Sequence, residues 1–189
     1  MNRKTISFYL AAIVLIALIL TSYRTSFRDA TEVAKMPPKE QASFDGKNSA
    51  FAIDGEIITL KNGISETEQA PSSASKSVVR FLGNESIGDL NGDGLADIAF
   101  LVTKETGGSG LFYYAVVALK TPDGYKTTNA CYVGDRIKPQ SIMIHEDSKQ
   151  LDINFAERKL EEPMSAEPTS DAVLLLKVTP AGVLEGLMK

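Results

Sequence analysis

The chain has 189 residues, 43% apolar and 23% charged, which is ordinary globular usage and enough for one domain with a packed core. Its formal net charge is −4; Met1–Tyr23 holds Arg3 and Lys4 but no acid, so the remainder carries 18 basic against 24 acidic residues. A domain of that sign lacks the electrostatic footprint of a nucleic-acid binder, and a single cysteine, Cys131, excludes an intramolecular disulfide.

The first element is Ile6–Leu20, an uncharged run broken only by Ser7, preceded by Arg3-Lys4 and followed by Thr21-Ser22-Tyr23-Arg24. Its fifteen residues suit the apolar region of a signal peptide, and the nineteen from Thr5 to Tyr23 span a bilayer if the ends snorkel. No Ala-x-Ala-like cleavage site follows Leu20, while Tyr23-Arg24 has the character of an interfacial anchor. Residues 1–24 therefore predict a transmembrane helix acting as an uncleaved anchor, with a cleaved signal segment and a secreted domain as the alternative. Arg24, Arg28 and Lys35 follow the run and nearly balance the charges before it, so charge bias alone does not orient it. The short basic tail ahead of an N-terminal apolar run is the export pattern, and it predicts a domain outside the cytoplasm.

Residues 25–49 are polar, mixed in charge and interrupted by Pro37-Pro38, and they read as a linker. The domain is expected over 50–189. Phe51–Leu60 is two short apolar runs around Asp54-Gly55, a hairpin signal, and Asn62-Gly63 is a second turn. Glu66–Lys76 reads as a polar loop. Strands are expected at Val78–Leu82, Ile98–Val102 and Leu111–Thr121, the last two joined by the Gly107–Gly110 turn. Pro122-Asp123-Gly124 turns the chain, and Tyr125–Val133 returns as a hairpin partner. Ser141–His145 pairs with Leu151–Phe155, Glu161–Thr169 is a loop, and Ala172–Thr179 and Val183–Leu184 close the pattern. About eight to ten short strands with regular turn signals predict a mainly β fold, an antiparallel sandwich or open barrel.

The segment Asp89-Leu-Asn91-Gly-Asp93-Gly94-Leu95-Ala-Asp97 carries the one chemical motif of note. Oxygen-bearing side chains at positions one, three and five turn inward as the chain winds round a cation. Gly94 at six permits the sharp turn, Leu95 at seven offers its carbonyl, and Asp97 at nine closes the ring. Every donor is a hard oxygen, which selects calcium over zinc. Position twelve is Phe100 rather than Glu, so the bidentate ligand of a full EF-hand is missing. The expected metal ligands are thus Asp89, Asn91, Asp93, Leu95 and Asp97, with calcium in a structural role. In this shortened form the loop resembles the calcium loops of integrin α-chain propeller repeats.

Other constellations carry less. His145 is the only histidine and reads as a surface imidazole; Cys131 reads as a small buried hydrophobe. Gly107–Gly110 lacks the Gly-Lys-Ser/Thr of a phosphate loop. Asp54/Glu56 and Glu157/Glu161 are carboxylate pairs that nothing singles out, and Asp135-Arg136 and Glu157-Arg158 are candidate ion pairs. Tyr113 and Tyr114 must point to opposite faces of one strand, which predicts one in the core and the other exposed for contact.

From Phe51 to Val183 the chain also resembles a family of small, largely uncharacterised exported bacterial β domains. The resemblance rests on Ile53-Asp-Gly-Glu with Leu60-Lys-Asn-Gly, on Phe81-Leu-Gly-Asn-Glu, and on Gly107-Gly-Ser-Gly-Leu-Phe-Tyr-Tyr114. It continues through Gly134-Asp-Arg-Ile-Lys-Pro-Gln140, Asn154-Phe-Ala-Glu-Arg158 and Glu162-Pro-Met164. It implies an exported domain and carries over no catalytic residue; the N-terminal run is what predicts a single-pass protein of a bacterial inner membrane, with the domain on the periplasmic or extracellular side. The expectation is a non-enzymatic binding or envelope-associated module, partnered by the membrane and by an envelope protein or glycan. The alternative is a hydrolase of envelope carbohydrate or peptide, which would need two acids facing each other across a cleft.

Overall fold

The computed structural model describes residues 43–69, 75–163 and 165–187. The expected membrane segment and most of the linker lie outside the described residues. Among those described, no helix is long and apolar enough to cross a membrane.

The chain is mainly β and antiparallel. Asp54 (φ +52°) and Gly55 (φ +84°) form the two-residue turn that folds β1 (Ala50–Ile53) onto β2 (Glu56–Thr59). A second turn, Asn62 and Gly63, leads into β3 (Ile64–Glu68). From there β4 (Lys76–Gly88), β5 (Asp97–Glu105), β6 (Leu111–Thr121) and β7 (Gly124–Thr127) add one after another to a single sheet. A further strand, β8 (Cys131–Asp135), pairs with the other half of β6. The last four strands, β9 (Lys138–His145), β10 (Gln150–Glu157), β11 (Ser170–Val178) and β12 (Leu184–Gly186), build a second sheet, also from chain neighbours.

Several boundaries differ from expectation for definite reasons. Packing begins upstream of Ala50: Phe44 stacks on Phe100 and Tyr125, and Asp45 caps a short 3-10 turn at Gly46–Asn48. The stretch expected as a loop from Glu66 opens in strand conformation, because β3 is an edge strand whose side chains are mostly exposed and need no apolar period. The strand expected at Val78–Leu82 runs for 13 residues, with irregular pairing on either side of Gly83 (φ +91°). The return strand expected over Tyr125–Val133 is split. Thr128 Oγ1 accepts a hydrogen bond from the Val117 N–H (3.2 Å), and Ala130 N–H donates to the Ala52 carbonyl (2.7 Å), pulling the chain toward β1.

β5 and β6 are buried on both faces, which is why they read as near-continuous apolar runs. One face gives Ala99, Leu101, Ala115, Val117 and Leu119 to a core shared with the second sheet through Ile144, Leu151, Ile153, Phe155 and Leu176. The opposite face gives Phe100, Val102, Tyr114, Val116 and Ala118 to a core closed by the β1–β2 hairpin through Phe51, Ile53 and Ile58. Phe100 is its hub, with ring centroids 5.5–6.1 Å from Phe44, Phe51 and Phe81. Truncating a ring so enclosed costs about 3–5 kcal/mol.

Candidate functional site

The acidic loop joins β4 to β5 at a corner where the two sheets meet. Its winding comes from side chains accepting from nearby backbone amides. Asp89 Oδ1 accepts from Gly92 N–H (2.7 Å) and Oδ2 from Gly94 N–H (3.2 Å); Asn91 Oδ1 accepts from Asp93 N–H (2.9 Å) and Asp93 Oδ1 from Leu95 N–H (2.8 Å). Gly92 (φ +86°) and Gly94 (φ +81°) supply the left-handed backbone that these closures require. Asn91 and Asp93 lie exposed at the tip, and Leu95 is half-buried.

Asp97 behaves differently from the other expected ligands. It is fully buried, with Oδ2 accepting from Leu90 N–H (3.0 Å) and Oδ1 from Lys120 N–H (2.9 Å) on β6. Burial pushes its carboxyl above the usual range, a shift those two hydrogen bonds oppose and the Asp93 charge reinforces. Asp97 therefore ties the loop's two ends to the central sheet.

Asp89 meets the opposite sheet. Lys149 Nζ, from the β9–β10 turn, lies 2.7 Å from Asp89 Oδ2 and 3.1 Å from the Asp89 carbonyl oxygen. The bonded ammonium holds the Asp89 carboxyl below its ordinary range, with the Gly92 and Gly94 amides adding to it. Glu146, in the same turn, accepts from Asp89 N–H (3.0 Å), and Ser86 Oγ accepts from Ile144 N–H (3.0 Å). The fit at Gly88 is close: a Cβ there would lie 3.0 Å from both Glu146 Oε1 and Ile144 Cγ2, so a larger residue would press on that turn.

Asp89, Asn91 and Asp93 each carry a side-chain oxygen of the kind a hard cation takes, but Asn91 Nδ2 donates to Asp93 Oδ2 (3.0 Å) and the Lys149 ammonium already stands beside Asp89. Among the described residues, no three His, Cys, Asp or Glu side chains converge as a metal-holding group. A calcium ion here would need Asn91 Oδ1 and the Asp93 carboxylate, which accept from groups of the loop itself, to turn inward, with Leu95 contributing its carbonyl. The sequence could not have shown Lys149, since nothing near Asp89 marks a partner 60 positions away.

The remaining candidates separate cleanly. His145 Nε2 lies 3.0 Å from Asp152 Oδ2 on the neighbouring strand, and Gln150 Nε2 donates to Asp152 Oδ1 (2.7 Å). Asp135 and Arg136 form the expected ion pair at 2.7 Å, but Arg158 donates instead to the carbonyls of Ala166 and Arg136. Cys131 is half-buried against the core, and burial pushes its thiol pKa up. Tyr113 and Tyr114 face opposite sides of β6 as expected, but each packs against a core, so neither is the exposed contact residue that a one-sided strand would leave. Burial, aided by Asp54 and Tyr132, pushes the Tyr114 phenol up to about 12.

Three surface clefts hold a single carboxylate each. One of about 350 Å³ lies beside the loop tip, lined by Asn91, Asp93, Leu119, Val178 and Pro180. A second, of about 410 Å³, has Glu167 with Tyr113, Arg136 and Lys138. Asp171 is the acid of the third, about 480 Å³ on the outer face of the second sheet. Carboxylate-pair hydrolysis requires two facing acids, which none of these three provides. Compared with known proteins, the chain matches no family model, no curated protein and no solved structure.

Proposed function

We propose that the chain is an exported, membrane-tethered β domain serving as a binding or envelope-associated module, with the acidic loop a calcium-responsive clamp on its fold. The observation that carries this reading is how the loop spends its acids. Asp97 and Asp89 bind main-chain amides and a lysine that join strands, which is structural work rather than chemistry on a substrate. Calcium, when bound, would supply the positive charge that lets the tip oxygens of Asp89, Asn91 and Asp93 crowd together.

The binding half is supported by an aromatic cluster on the hairpin side. Tyr132 is 49% exposed, and its ring lies 5.6 Å from Tyr114 and 6.5 Å from Phe112. Such a surface suits stacking against a glycan ring or an apolar side chain.

Calcium titration of the full chain in mild detergent, followed by Tm, tests the clamp. The expected result is a rise of several degrees at millimolar calcium; an unchanged Tm sinks the calcium reading. For the binding half, co-sedimentation with purified envelope glycan should fall in Tyr132→Ala. Equal sedimentation of both proteins counts against that surface.

A further inference from the structure

We infer that the cleft of about 410 Å³ formed by the start of β6, the β8–β9 link and the loop before β11 binds a small zwitterion with an apolar side chain, an amino acid or a short peptide. It lies on the face of β6 away from the Tyr114–Tyr132 cluster and uses none of the acidic loop, so it stands apart from the function proposed above.

The cleft has the size of a small-molecule site, and Leu111, Ile137, Pro139 and Pro168 give it apolar walls. Hydrogen bonds hold those walls in place. Arg158 donates from Nε to the Ala166 carbonyl (2.6 Å) and from Nη1 to the Arg136 carbonyl (3.0 Å), tying the strip before Glu167 to the strip before Lys138. Leu111 is fixed through both main-chain groups, its N–H by Asp135 Oδ1 (3.0 Å) and its carbonyl by Arg136 N–H (2.7 Å). The two prolines lock their own φ, so little of the cleft has to be ordered when a ligand arrives.

Three polar groups are left over. The Tyr113 hydroxyl, the Lys138 ammonium and the Glu167 carboxylate belong to side chains lining the cleft, and among the described residues none of them has a hydrogen-bond or ion-pair partner. Burial pushes the Tyr113 phenol pKa up, so that group stays a hydrogen-bond donor at neutral pH. Arg136, the other cation of the lining, is already engaged by Asp135 at 2.7 Å. A ligand bringing only a carboxylate would gain Lys138 and be repelled by Glu167, and one bringing only an ammonium would meet the reverse. A zwitterion satisfies both, its carboxylate on Lys138 and the Tyr113 hydroxyl, its ammonium on Glu167. The apolar walls then take its side chain.

Saturation-transfer NMR on the full chain in mild detergent, blanked against empty micelles, tests this with leucine, leucyl-leucine, N-acetyl-leucine and leucinamide. The zwitterions should bind, and the tighter of the two shows whether the site takes a free amino acid or a peptide. The single-charge probes should bind about tenfold or more weakly than that better zwitterion. Lys138→Met should abolish the preference over leucinamide, Glu167→Gln the preference over N-acetyl-leucine, and Tyr113→Phe should weaken zwitterion binding several-fold. None of these changes removes an existing polar contact, so each variant should keep the wild-type Tm. Single-charge probes that bind wild type as tightly as the zwitterions overturn the inference. So does an absence of saturation transfer to either zwitterion at millimolar concentration, or affinities unchanged in all three variants.

Discussion

At one corner of the domain charges hold the two sheets together, and at the other a neutral side-chain amide does so. The charged corner gathers Asp89, Glu146 and Lys149 around the acidic loop, with Ser86 bracing β9. At the neutral corner, Asn129 lies between β7 and β8. Its Oδ1 accepts from Leu184 N–H (2.8 Å) and its Nδ2 donates to the Leu184 carbonyl (3.0 Å). One amide thereby copies a strand's own donor and acceptor and caps β12 as a neighbouring strand would. The neutral corner ignores ionic conditions. Salt and acid act on the charged one.

The largest effect should come from Asp97→Ala. It leaves the Leu90 and Lys120 amides without their carboxylate, at about 1–3 kcal/mol for each buried donor. Urea denaturation should show a loss of about 3 kcal/mol or more; a loss near zero would mean that water replaces the carboxylate at no cost. Asn129→Ala comes next, losing about 1–3 kcal/mol, and the loss should be the same in low and molar salt. Asn129→Asp should be no better, because a carboxylate cannot donate to the Leu184 carbonyl. Lys149→Met, which removes the ion pair with Asp89, should lose less than Asn129→Ala, and the difference from wild type should shrink in molar salt as exposed charges are screened. A salt-independent loss there would erase the contrast between the corners.

The smallest effect concerns acid. Arg136 holds the Asp135 carboxyl below its ordinary range, with the Leu111 amide assisting. A folded-state pKa below the unfolded value contributes stability that is present above about pH 4 and is lost as pH falls through the lowered pKa. Wild type should therefore lose Tm relative to Asp135→Asn as pH drops from about 4 to 2. Parallel Tm–pH curves for the two proteins would show that the pair contributes nothing.

Much of the fold was legible because turns announce themselves. Asp54-Gly55, Gly107–Gly110 and Pro122–Gly124 each sit where strands reverse, and Leu111–Thr121 is observed with the expected limits. Illegible elements lacked an apolar period. β3 carries Ser65, Glu66, Thr67 and Glu68 on an exposed edge, where Glu66 pairs with Lys76, so its sequence looks like a loop. Charge on an edge strand is also what discourages pairing with other chains. The apolar runs of β5 and β6 marked them as strands, but that both faces are covered, and by what, emerges only from the packing of the second sheet and the β1–β2 hairpin. In the acidic loop the residue types and glycines were legible. That Asp97 turns to β6, and that a distant lysine meets Asp89, depends on packing no local pattern encodes.

The order of strands has a consequence for folding kinetics. Each sheet is assembled almost wholly from strands adjacent in sequence, so most pairings close short loops and cost little entropy. The corner bonds are the exception, joining residues 55 and 60 positions apart at Asn129–Leu184 and Asp89–Lys149. Contacts of that span carry the larger loop-closure cost, which predicts that they form after the sheets they connect. Removing either should leave the refolding rate nearly unchanged and express itself as faster unfolding. The corners would then govern how long the domain stays folded rather than how quickly it gets there.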